Sequence, residues 1–286
     1  MKIQIKDDFD LGKIADSGQC FRFNKCGDGY SVVAGDKYVF IRQLNAGQEK
    51  AFDEDGWYEL SCREKEYEEF WKEYFDLNTD YRNIRGLIDK KEDEYLYNAS
   101  EYGKGIRILQ QDPWEMLISF IISQRKNIPA IKASIEKICA LVGKKIATDP
   151  EGNPVYSFPT PDELSSVPME KLTACSLGYR DKYVHRAALD VASGVCDLNG
   201  FKNLTDEQLM DKLLELYGVG VKVANCEILF GYHRLNAFPK DVWINRVLEL
   251  RYTKGFLFEK YAPYNGVMQQ YLFFYSRSEG LTAKEN

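Results

Sequence analysis

Residues Leu213–Val247 read LLELYGVGVKVANCEILFGYHRLNAFPKDVWINRV, and this stretch decides the fold. Just upstream, Thr205-Asp-Glu-Gln208 is a capping box opening a helix whose Leu209, Leu213 and Leu216 form one apolar stripe. Gly218 is the natural left-handed residue to end that helix, and Gly218-Val219-Gly220 then turns the chain into a second helix starting near Val221. Two glycines between helices leave backbone N–H groups exposed at a helix N-terminus, where a phosphate can sit. Lys222 falls in the first turn of the second helix, with Cys226 four residues on and on the same face. The positive end of a helix disfavours an ammonium, and a neutral amine is what nucleophilic catalysis requires. After the loop Phe238-Pro239-Lys240 comes Asp241, placed as the N-cap of another apolar helix (Val242, Ile244, Val247).

Taken singly, each feature has an ordinary explanation. Asp241 alone is an N-cap, Gly-x-Gly a weak signal, Lys222 a phosphate contact or solvated residue, and Cys226 a small buried hydrophobe. Their succession, with the aspartate nineteen residues after the lysine, is much harder to obtain by chance.

Outward from this stretch, residues 99–286 read as helical, with Pro113–Ile122 strongly apolar and a second capping box at Thr160-Pro-Asp-Glu163. Asp149–Pro161, rich in proline and glycine, is expected to be a loop. Residues 1–98 read as strands and turns. Ile3 and Ile5 alternate with polar residues, and turn signals at Cys26-Gly-Asp-Gly29 and Gly35-Asp36 separate Tyr30–Val33 from Tyr38–Ile41. Trp57–Cys62 is a further strand, and Tyr67, Phe70, Trp71, Tyr74 and Phe75 fall at helical spacing. The fold class is α+β, an antiparallel sheet domain (1–98) followed by a helical body (99–286) with a helix-hairpin-helix at about 206–232.

Composition narrows the chemistry. The chain has 286 residues, 44% hydrophobic and 29% charged, which suits a globular protein. Seven cysteines without C-x-x-C spacing, none beyond Cys226, argue for free thiols and against an iron–sulfur cluster. Two histidines, His185 and His233, leave little for a zinc site or a histidine-based triad, so no metal ligands are expected. No phosphate-loop, dinucleotide or nucleophile-elbow motif is present. An acidic N-terminus without an apolar run and no membrane-length segment make a cytoplasmic location the expectation. The net charge of −6 is unevenly spread: residues 1–98 carry 15 basic and 22 acidic side chains (−7), the rest 23 and 22 (+1). The acid is concentrated between Asp53 and Glu94. Fields act over roughly 8–10 Å at physiological salt, so the total neither supports nor excludes DNA.

The hairpin, lysine and aspartate resemble the helix-hairpin-helix DNA glycosylase superfamily. Lys222 points to its bifunctional glycosylase/lyase members, and Tyr217 stands where a proline is usual. Three more segments, Ser17-Gly-Gln-Cys-Phe-Arg22, Asp112-Pro-Trp-Glu-Met-Leu-Ile-Ser-Phe-Ile121 and Tyr264-Asn-Gly-Val-Met-Gln-Gln-Tyr-Leu-Phe273, with Leu177-Gly-Tyr-Arg180, are similar to the 8-oxoguanine DNA glycosylase family. That resemblance implies a TATA-binding-protein-like N-terminal sheet and removal of 8-oxoguanine from duplex DNA through a lysine Schiff base, with an associated lyase step. It assigns Lys222 as nucleophile and Asp241 as its carboxylate partner. The Gly18 carbonyl would recognise the N7–H that distinguishes 8-oxoguanine from guanine, because facing guanine's lone pair leaves two acceptors unpaired. Gln269 would read the Watson–Crick edge, Phe273 and Cys226 would sandwich the flipped base, and Tyr179 would fill the gap in the duplex. Gly218 and Gly220 would hold a phosphate.

Where eukaryotic members place asparagine and arginine on the opposite cytosine, this chain has Arg125 and Ala130; Arg180 matches a third cytosine-reading position, and Trp243 replaces a family histidine. Looser discrimination of the opposite base is therefore expected. The resemblance implies no organic cofactor, room for a monovalent cation at the hairpin carbonyls, duplex DNA as partner, no membrane, and a monomer. The alternatives are an endonuclease III-like enzyme for oxidised pyrimidines, or a non-catalytic hairpin DNA-binding protein.

Overall fold

The computed structural model describes residues 1–44 and 56–280; the acidic residues Asp53–Asp55 lie outside them. Five antiparallel strands, β1 (Lys2–Ile5), β2 (Phe23–Cys26), β3 (Gly29–Ala34), β4 (Lys37–Leu44) and β5 (Gly56–Leu60), form one sheet in the order β1-β5-β4-β3-β2. Register places Ile3 opposite Tyr58, Ile41 opposite Leu60, and Val32 between Val39 and Phe23. Period-2 alternation puts these side chains on one face. The aromatic stripe expected after the sheet is helical and packs onto that face. Trp71 and Phe75 are fully buried, and Phe9 meets Tyr58 and Phe75 edge-on at 5.1 and 5.6 Å.

The second, larger core is helical and is built around Pro113–Ser123, nearly every residue of which is buried. The two cores do not divide at residue 98, since Tyr81, Ile84, Ile88 and Leu96 already belong to the helical one. Arg107, itself fully buried, ties the cores together: its guanidinium donates to Asp7 and to the backbone carbonyls of Phe75, Asp76 and Thr79. The loop expected over Asp149–Pro161 contains a strand. β6 (Lys145–Thr148) and β7 (Pro154–Tyr156) form an antiparallel hairpin around a turn in which Asp149 accepts from the N–H groups of Glu151 and Asn153. Proline is tolerated there because Pro154 begins an edge strand.

Both capping boxes form with both bonds present. The first hairpin helix spans Asp206–Leu214, shorter than expected, and the chain turns through Leu216 before Gly218 adopts φ +86°. Only glycine fits there, because any Cβ would lie 2.4 Å from the Tyr183 ring. The second helix runs from Val221 to Cys226 and widens into a π turn over Glu227–Gly231. All seven cysteines are free and buried. No helix among the described residues is long and apolar enough to cross a membrane.

The π turn buries Glu227 completely, with both carboxylate oxygens unpartnered, and burial pushes its carboxyl well above the usual range, assisted by Asp112. Such a group takes up a proton on folding, so its cost grows as pH rises above the ordinary carboxylate range and vanishes below it. Glu227→Met is expected to stabilise the protein by about 1–3 kcal/mol at neutral pH. Denaturant titrations at several pH values check this; the gain should shrink toward pH 4.

Candidate active site

Lys222 is the second residue of the second hairpin helix and is half-buried, with Nζ 5.2 Å from the centre of the Phe120 ring. Its charge acts on the Cys226 thiol one turn on. Burial pushes that thiol up, while the lysine charge opposes the shift. Asp241 caps the Val242–Arg251 helix, its Oδ1 accepting from the Ile244 N–H at 2.8 Å. Helix-capping alone would hold this carboxylate ionised. Burial works against this and outweighs the hydrogen bonds from Ile244 and Trp243 and the attraction of Lys222, so the Asp241 pKa is raised. Lys222, Cys226 and Asp241 thus form one electrostatic group, drawn from one helix and the N-cap of another. No sequence reading could give this shift, because the desolvation comes from chain folded around the site.

Gly18 lies in left-handed backbone (φ +78°), and a Cβ there would be 3.1 Å from the Phe273 ring and 3.7 Å from Ile128. Its position is fixed by the buried Gln19. That amide accepts from the Leu109 N–H and donates to the Arg107 carbonyl and the Ser17 hydroxyl, while Gln111 donates to the Gln19 carbonyl. Phe273 is half-buried, four residues beyond Gln269 on the Asn265–Ser278 helix. Arg277 lies over the Phe273 ring at 5.3 Å and donates to the Asp16 carbonyl, tying this helix to the Gly18 loop. Gln269 is buried: it donates to the Pro239 carbonyl at 3.1 Å and accepts from Gln270 at 3.0 Å. Contacts therefore run from Gly18 through Phe273 and Gln269 to the loop that ends in Asp241. These two bonds use one N–H and one oxygen lone pair of the Gln269 amide, which leaves a second donor and a second acceptor position on the same group.

Tyr179 is 47% exposed beside the hairpin. Arg180 departs from the expectation of a base reader. It is buried, and its guanidinium turns inward onto the backbone carbonyls of Gln124, Leu177 and Arg125 while stacking over the Tyr179 ring at 4.4 Å. Arg125 is exposed on left-handed backbone (φ +50°). Trp243 is half-buried in the first turn of the helix that Asp241 caps, and Gly220, with open space where a Cβ would be, caps the lysine helix. Sequence reasoning missed Phe120, Gln19, Arg277 and Gln124. Their type gives no local signal, and their roles arise from contacts between distant segments.

Comparison with known proteins follows this geometry. Residues 2–117 match the family model described as 8-oxoguanine DNA glycosylase, N-terminal domain, and residues 118–253 match the HhH-GPD superfamily base excision DNA repair protein. Among solved structures, MBOgg1 in complex with a low-affinity DNA ligand is 35% identical with a TM-score of 0.86, covering 98% of this chain and 96% of that one. The Clostridium acetobutylicum 8-oxoguanine glycosylase/lyase, in complex with duplex DNA carrying cytosine opposite 8-oxoguanine, is 33% identical with a TM-score of 0.85, covering 98% and 99%. The N-glycosylase/DNA lyase of Saccharomyces cerevisiae is 32% identical over 209 residues, 68% of this chain and 55% of the yeast protein. The chain therefore spans little more than half the length of that curated relative.

Proposed function

The chain belongs to the 8-oxoguanine DNA glycosylase family, and from that premise we propose that it excises 8-oxoguanine from duplex DNA and nicks the strand, with Lys222 as nucleophile. The observation that carries the residue assignment is the grouping of Lys222 with Cys226 and Asp241, together with the Gln269 bond to Pro239 that joins the helix bearing Phe273, itself against Gly18, to the loop ending in Asp241.

The damaged nucleotide leaves the stack, with Tyr179 taking its place and the hairpin N–H groups around Gly218 and Gly220 holding a phosphate. The flipped base enters between Cys226 and Phe273, with the Gly18 carbonyl on its N7–H and Gln269 on its Watson–Crick edge. Lys222 in its unprotonated form bonds to C1′ as the bond to the base nitrogen breaks, and that electron pair leaves with the base, which is then protonated. The ionised Asp241 stabilises the cationic sugar. Opening of the sugar ring gives a Schiff base, and loss of a C2′ proton expels the 3′ phosphate by β-elimination. Every group in this sequence is a side chain or a backbone amide group of the chain, so the reading requires no cofactor. A monovalent cation at the hairpin would share the Gly218 carbonyl with the Gln124 amide, which donates to it at 3.0 Å. The reading takes one copy of the chain per lesion and places it in the compartment that holds the genome, which is the cytoplasm in a cell without a nucleus.

The test is single-turnover base release on duplexes containing 8-oxoguanine, guanine or thymine glycol. Release of 8-oxoguanine alone supports the reading; release of thymine glycol alone replaces it with oxidised-pyrimidine repair, and binding without release replaces it with a hairpin DNA binder. The same assay addresses the opposite base. With Arg125 and Ala130 at two reading positions and the Arg180 donors turned inward, rates opposite adenine and cytosine should agree within about tenfold, or about 1.4 kcal/mol. A preference of roughly a hundredfold for cytosine would contradict this.

Gly18→Ala tests the pocket. The left-handed backbone costs an alanine roughly 1–2 kcal/mol, and its methyl would press on Phe273. Excision should slow on the order of tenfold to a hundredfold, while lyase cleavage of a preformed abasic site, which needs no base pocket, should be largely kept.

A further inference from the structure

Gln124 is the residue that follows the Pro113–Ser123 helix, and it is bonded in two directions. Its side-chain amide donates to the Gly218 carbonyl at 3.0 Å, inside the hairpin, and to the Ile121 carbonyl at 3.2 Å. Its own carbonyl accepts from the Arg180 guanidinium, at 2.7 Å for Nε and again from Nη2. That guanidinium is stacked on the Tyr179 ring. A polar path therefore runs Tyr179, Arg180, Gln124, Gly218 and reaches the turn that leads into the lysine helix.

A second, aromatic path joins the same two segments. Tyr179 meets Tyr183 edge-on at 5.9 Å, and Tyr183 meets Tyr217 edge-on at 4.9 Å. The Tyr183 ring also lies so close to Gly218 that no side chain could stand between them. The wedge segment and the hairpin are held in one register by bonds with strong angular preferences and by ring packing. A movement of Tyr179 into duplex DNA must either break this register or carry the hairpin with it.

We propose that Gln124 is a positioning residue that couples insertion of Tyr179 to the placement of the hairpin and Lys222, so that the amine reaches C1′ only when the wedge is seated. The proposal rests on the excision reading above and on Tyr179 as the wedge. Gln124 touches neither the base nor the sugar; it acts through Gly218 on one side and Arg180 on the other. A coupled pair of this kind is worth a factor of about 5–150.

The experiment is a double-mutant cycle of Gln124→Ala and Tyr179→Ala, read as the single-turnover excision rate on 8-oxoguanine opposite cytosine. The dissociation constant for a duplex with an uncleavable tetrahydrofuran site is measured in parallel, with thermal melting of each variant. Gln124→Ala should lower the excision rate about 5- to 150-fold and change the dissociation constant by less than about threefold. In the Tyr179→Ala background it should have almost no further effect on the rate. Gln124→Asn keeps the amide on a shorter arm, and should resemble Gln124→Ala in rate while melting like wild type. Multiplicative effects of the two substitutions, or an unchanged rate in both Gln124 variants, would overturn the coupling and leave the excision reading standing. No excision by wild type, or none lost in Tyr179→Ala, would remove the premise and the coupling with it.

Discussion

Lys222→Gln is expected to lower the rate of 8-oxoguanine release on the order of 10⁴-fold or more, the scale seen when an enzyme's nucleophile is removed, and to abolish strand cleavage. The substitution keeps a polar side chain of similar size at a half-buried position, so the hairpin should fold as before. Lys222 is half-buried beside the Phe120 ring and makes no ion pair among the described residues, which leaves its amine available to a substrate. Binding to a duplex with a tetrahydrofuran site should be nearly unchanged, because the phosphate contacts proposed at Gly218 and Gly220 would come from backbone N–H groups. Separate measurement of excision rate and dissociation constant checks this: a fall in binding with an unchanged excision rate would make Lys222 a phosphate contact.

Asp241→Asn should separate chemistry from folding. Asparagine caps a helix about as well as aspartate, so the bond to the Ile244 N–H can persist. Burial raises the Asp241 pKa, so the ionised form is held at a cost that rises with pH, and removing the charge should leave stability at neutral pH unchanged or slightly higher. Excision should nevertheless fall about 10²–10³-fold, the cost of removing a preorganised charge from a developing cation. The pH profile carries the sign. Because the ionised form is the active one and its pKa is raised, wild-type excision should fail on acidification earlier than an ordinary carboxylate would dictate. The Asp241→Asn profile should lack that limb. A profile unchanged by the substitution would contradict the assignment.

Much of this was legible in the chain because it is written in local patterns. The Ile3/Ile5 alternation and the Gly27 and Gly35 turns specify strands; the Thr160 and Thr205 capping boxes and the Gly218-Val-Gly220 turn mark helix ends. What escaped depends on contacts between segments far apart in sequence. The strand at Pro154–Tyr156 is three residues long and hidden by proline and glycine, and its pairing with β6 supplies the reason it exists. The π turns at Tyr67–Trp71 and Glu227–Gly231 insert one residue per turn, which no hydrophobic period reveals. Arg180 matched a reading position by type, yet three backbone carbonyls within reach of its guanidinium draw it inward. The raised Asp241 pKa follows from burial, which only the assembled core provides.

The central claim is a covalent bond between Lys222 and the sugar of an excised 8-oxoguanine, and borohydride trapping tests it most directly. A duplex with one 8-oxoguanine opposite cytosine is incubated with wild type or Lys222→Gln in the presence of borohydride, and the products are resolved by denaturing electrophoresis. The account expects a protein–DNA adduct with wild type, with the link mapped by peptide mass to Lys222, and none with the variant. An adduct that persists in Lys222→Gln, or free 8-oxoguanine released by wild type with no adduct, would contradict it.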